Sequence, residues 1–143
     1  MRCKRLVLLT TVVIGTVCVG QAAAKGPDRA NVCGWQRCRM LSGEAAASPL
    51  LTSWWLTPFD GAAAPTPAPS YRFTLHSARA GEGRWFIVWV PSAREMRVTQ
   101  VGVYPYLQRI GPYWRAVPPN ARRVFRRVTS GLRPYPASKM RPS

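Results

Sequence analysis

The chain has 143 residues, with 21 basic against 5 acidic side chains, one histidine and four cysteines. That length suits one domain with a modest core. With a single histidine, few carboxylates and no nucleophile elbow, it holds little material for acid–base or nucleophilic catalysis. The formal net charge of +16 favours polyanionic partners, namely anionic lipid, acidic wall polymers or nucleic acid.

In chain order, the first element is an export signal. Arg2, Lys4 and Arg5 form a basic n-region, Leu6 to Val19 an apolar run of 14 residues, and Ala22-Ala23-Ala24 a small-residue cleavage site. As a helix the run reaches about 21 Å, short of the bilayer's hydrocarbon core of about 30 Å. Residues 1–24 are therefore expected to be a cleavable signal peptide, with no transmembrane segment after cleavage. The product is expected to be extracytoplasmic, secreted or envelope-associated. Cleavage leaves 119 residues carrying 18 basic and 5 acidic side chains, a net +13. Arginine outnumbers lysine 18 to 3 over the whole chain, which codon bias in a GC-rich genome explains; it does not explain the shortage of Asp and Glu.

Residues 25–56 read as a disulfide hairpin followed by a short helix. In an oxidising compartment Cys33 and Cys38 pair most simply with each other, across Gly34-Trp35-Gln36-Arg37 as a four-residue loop. A redox role lacks the C-x-x-C spacing. A metal site stops at three soft ligands once the signal has left, so no metal or other cofactor is expected. Trp35, flanked by Arg37 and Arg39, is a candidate partner contact on a rigid loop, packing of the ring back onto the domain being the alternative. Residues 42–47 read as a small-residue connection. Ser48-Pro49 then reads as N-cap and first turn of a helix, with Leu50, Leu51, Trp54 and Trp55 on its core face.

Residues 57–70, rich in Pro and Ala, favour an extended connection separating the hairpin from the main sheet. Residues 71–131 carry that sheet and a basic C-terminal helix. Tyr71 to His76 alternates, with Tyr71, Phe73 and Leu75 inward and Arg72, Thr74 and His76 outward. Gly81-Glu82-Gly83 supplies a turn. Trp85 to Val90 is apolar on both faces, the pattern of a strand covered on both sides. Met96 to Val103 is a third strand with a bulge between Val98 and Val101. Residues 104–113 form a loop leading to a short fourth strand around Trp114 to Val117. The final helix has Asn120 as cap and stops at Gly131, with Pro134 beyond. Ala121, Val124, Phe125 and Val128 share its apolar stripe; Arg122, Arg123, Arg126 and Arg127 occupy the opposite side. Residues 132–143 read as a tail.

The expected fold is α+β: a small antiparallel sheet of three to four strands packed by a C-terminal amphipathic helix, preceded by a disulfide-pinned hairpin. The expected role is non-catalytic binding of an anionic cell-envelope polymer, lipid headgroups or an acidic protein. Arg122, Arg123, Arg126 and Arg127 are the anion-binding candidates, with Arg72 and His76 extending their surface if the strand face is open. Nucleic acid is a disfavoured partner for an exported chain without a nucleic-acid-binding motif. The enzymatic alternative is a small secreted hydrolase of ribonuclease type, with His76, Glu82 and Arg84 as acid, base and phosphate clamp.

Overall fold

The computed structural model describes residues 26–58, 60–77, 83–102 and 109–140. The expected signal, the Gly81-Glu82 turn, Val103 and the chain's last three residues lie outside the described residues. Six antiparallel strands form one sheet: β1 (Arg29–Gly34), β2 (Arg37–Ser42), β3 (Tyr71–Ser77), β4 (Gly83–Val90), β5 (Glu95–Val101) and β6 (Ile110–Ala116), in the order β2-β1-β3-β4-β5-β6. Three helices accompany it: α1 (Glu44–Ala47), α2 (Pro49–Trp55) and α3 (Pro119–Thr129). The chain is thus α+β with a C-terminal helix, as expected.

The strand count exceeds the expected three to four because the hairpin is part of the sheet. β1 pairs with β2 on one side and with β3 on the other, Val32 facing Phe73 and Ala30 facing Leu75. Cys33 lies opposite Cys38 and the two are disulfide-bonded. The loop between them is tighter than expected: Gly34 and Arg37 pair within the ladder, leaving Trp35 and Gln36 as the turn. Gln36 takes a positive φ of 65° there.

The core lies between one sheet face and the helices. Period-two alternation turns Phe73, Leu75, Trp85, Ile87, Trp89, Met96 and Val98 to that face. Leu50, Leu51 and Trp54 of α2 and Ala121 and Phe125 of α3 close over them. Phe125 sits 4.9 Å from the Phe73 ring and 5.4 Å from Trp89. Burying an aromatic of this kind contributes about 1.5–3 kcal/mol as an upper estimate.

Several local expectations need correction. Residues 44–47 form α1, consistent with the high helix propensity of alanine. Ser48 has helical φ and ψ and makes no side-chain cap bond, because α1 runs almost directly into α2. Trp55 stays 39% exposed while Leu50, Leu51 and Trp54 are buried, since the buried stripe of this seven-residue helix is narrower than the arc the four residues span. Pro118 is the N-cap of α3, and Asn120 lies inside the helix, where its Nδ2 donates to the Ser53 carbonyl at 2.8 Å and ties α3 to α2. The face change expected between Val98 and Val101 is ordinary alternation: Val98 and Gln100 point inward and Val101 outward. The bulge lies in the pairing with β6, where two residues, Gly111 and Pro112, oppose Thr99. A side chain at Gly111 would strike the Val98 carbonyl at 2.6 Å, and its φ is 94°.

The expected tail instead continues the fold. After Gly131, residues 132–140 run along the sheet, with Tyr135 bridging to Ser70 and a single 3₁₀ turn at Ala137–Lys139. Met140 is buried against Val90 and Trp114 on the sheet's second face, with Ala62 and Ala68 alongside. The Pro/Ala connection and the C-terminal segment thus cover one end of that face together. Its other end carries Phe86, 41% exposed, so β4 is not covered on both sides along its whole length.

Candidate functional site

The helix face and the second sheet face each present cations, for different local reasons. On α3, the apolar stripe of Ala121, Phe125 and Thr129 is buried, with Val124 and Val128 half-buried beside it. The helical period turns Arg123, Arg126 and Arg127 to solvent and leaves Arg122 half-exposed. Among the described residues, no carboxylate lies within ion-pair distance of these four arginines; the ion pair observed there is Arg29 with Asp28, at 3.9 Å. Arg126 and Arg127 stand in the last turn, where the helix dipole favours positive charge. Arg39 of β2 adds to that end by donating to the carbonyls of Val128 at 3.3 Å and Ser130 at 3.1 Å.

Trp35 has an intramolecular partner. Its ring meets Tyr135 edge-on at 5.8 Å, its backbone N–H donates to the Arg133 carbonyl at 2.7 Å, and Lys139 Nζ lies 5.8 Å from the ring centroid. Arg37 is exposed at the end of the same hairpin. Arg72 also turns to the C-terminal segment: its guanidinium lies 4.4 Å over Tyr135 and donates to the Lys139 carbonyl at 3.0 Å.

Arg72 and His76 do not extend the α3 surface. β3 points them away from the helices, to the second sheet face. There His76 lies directly across from Arg29 of β1 and from Arg84 of β4. Burial and then the charges of Arg84 and Arg29 lower the His76 pKa below the ordinary imidazole value, with Asp28 opposing them. Glu82, the proposed partner in a nuclease scheme, lies outside the described residues. At the covered end, Glu95 is raised above the ordinary carboxylate value by burial and then by Asp60. Among the described residues, no group of three or more His, Cys, Asp or Glu side chains could hold a metal ion. No helix among them is long and apolar enough to cross a membrane.

One buried cation escaped the sequence reading. Arg115 of β6 is 5% exposed on the helix side, where its guanidinium donates to the Thr57 and Pro58 carbonyls and to Thr57 Oγ1 and stacks 5.2 Å over Trp54. It fixes the exit of α2 onto the sheet. The signal for it was its strand position, two residues after the inward-facing Tyr113.

The architecture is therefore a six-stranded antiparallel sheet with helices on one face and two separate cationic surfaces, one on a helix and one on strands. No protein-family model, curated protein or solved structure matches this chain.

Proposed function

We propose that this is an exported, non-catalytic binding module that holds an anionic component of the cell envelope through Arg122, Arg123, Arg126 and Arg127. The observation behind this reading is the solvent-facing row of α3 arginines, which no carboxylate among the described residues neutralises. The helix is held by Ala121, Phe125 and Thr129 on its other side, so the guanidiniums are not needed for packing. Arginine also suits the ligand, because its planar fork binds phosphate or carboxylate oxygens in pairs.

Retention of the purified protein on envelope fractions across a salt series tests the reading. Retention should fall as salt rises and should fall again when all four arginines are changed to Gln, because exposed charge pairs are screened within about 10 Å at 0.1 M salt. Equal retention of the folded wild type and the quadruple variant would refute it.

A further inference from the structure

The second sheet face has its own concentration of cations, separate from α3. Strand register places Arg29, His76 and Arg84 in one cross-strand row at the end of the face that residues 62–70 and 135–140 leave open. Directly opposed side chains in such a ladder have Cβ atoms about 5 Å apart, so both guanidiniums can reach the space above the imidazole. Arg29 and Arg84 are exposed and His76 half-exposed. The adjoining row is Asn31, Thr74, Phe86 and Thr99, so the surroundings add neutral polar groups and one exposed ring.

Like charges placed opposite each other work against a sheet, and among the described residues local neutralisation here is slight. Asp28 Oδ1 approaches Arg29 Nε only to 3.9 Å. No carboxylate among the described residues lies within ion-pair distance of Arg84. Arg72, further along β3 on the same face, is occupied by Tyr135 and the Lys139 carbonyl. Among the described residues, the charged groups acting on His76 are Arg29 and Asp28 from the β1 side and Arg84 from β4.

The geometry points to a binding site for a phosphate group formed by Arg29, His76 and Arg84, with the imidazole taking up a proton as the anion binds. A carboxylate has two oxygens, which one guanidinium satisfies; a phosphate has enough for two guanidiniums and an imidazolium. Without the anion, His76 resists protonation because of its burial and its two arginine neighbours. A bound phosphate offsets both arginines and supplies an acceptor for the ring N–H, so for a given charge on the phosphate, binding favours the protonated imidazole. The site is on the opposite side of the sheet from α3 and does not depend on the role proposed for the helix.

The chain's single histidine gives one unambiguous imidazole signal. Its titration followed by NMR in inorganic phosphate, against sodium chloride at matched ionic strength, should show the His76 midpoint moved to higher pH by phosphate alone. Arg29→Gln and Arg84→Gln, both at exposed positions, should each weaken phosphate binding about tenfold, so that the displacement needs correspondingly more phosphate. The quadruple α3 variant should keep it. Phosphatidylglycerol vesicles form a second arm: a displacement at low vesicle phosphate assigns the site to a lipid headgroup, and one with inorganic phosphate only assigns it to a soluble phosphate. Identical His76 midpoints in phosphate, vesicles and chloride would overturn the proposal.

Discussion

The same strands build the two faces of the sheet, and the faces differ in almost everything else. Under α2 and α3, β3 to β5 present Phe73, Leu75, Trp85, Ile87, Trp89, Met96 and Val98, all buried. On the other face the same strands present Arg72, Thr74, His76, Arg84, Phe86, Val88, Arg97 and Thr99. Alternation alone produces this separation, because neighbouring residues in a strand point to opposite sides. Cohesion is concentrated on one side, which leaves the other able to carry mutually repelling charges without unfolding the domain.

The largest expected effect contrasts two phenylalanines. Phe125→Ala, beneath the helices, should cost about 3–5 kcal/mol in urea unfolding. Phe86→Ala, on the open side, should cost less than about 1 kcal/mol. Equal losses would mean that the second face is as cohesive as the first. Next in size is the bridge across β1 and β2: replacing Cys33 and Cys38 together by Ser should lower stability by about 2 kcal/mol, the chain-entropy value for so short a loop. A smaller effect concerns pH. The folded-state pKa of His76 is depressed, so the unfolded chain takes up its proton first. Stability from this group is full above the ordinary histidine value and is lost as pH falls through that value toward the folded one. The wild type should therefore show a shallow decline there that His76→Gln lacks, seen in urea midpoints without phosphate. The smallest effect is on α3, where changing the four arginines to Gln should move stability by no more than about 0.5 kcal/mol. A larger loss would mean that the helix needs its charges.

What could be read in advance depended on how local the signal was. The α3 stripe and its arginines follow from a 3.6-residue period within one segment, and the inward face of β3 from alternation within six residues. The Cys33–Cys38 pairing needed only sequence proximity and a turn. Joining the hairpin to β3 depends on an encounter across residues 43–70, whose Pro and Ala content reads as a spacer. His76 and Arg84 flank one turn and can be grouped from sequence, but Arg29 joins their row only once β1 has set its register against β3. Residues 132–140 read as a tail because proline and polar residues dominate them, while their anchors, Tyr135 and Met140, are isolated in sequence. The α1 turn has a local signal of its own, an Ala-rich run beginning with Glu, which favours a helical turn over the small-residue connection.

Gly34 meets the segment after α3 so closely that a Cβ there would overlap the Arg133 carbonyl oxygen, and the neighbouring Trp35 backbone N–H bonds to the same oxygen. The pairing of β1 with β2 joins neighbours in sequence, whereas this seat is completed by a residue about a hundred positions later. Contacts of such long sequence separation slow folding, because the intervening chain must be ordered before they form. The tip of the first hairpin is covered by residues 133–135, so the β1–β2 turn and the segment after α3 are one packed unit although they are far apart in sequence.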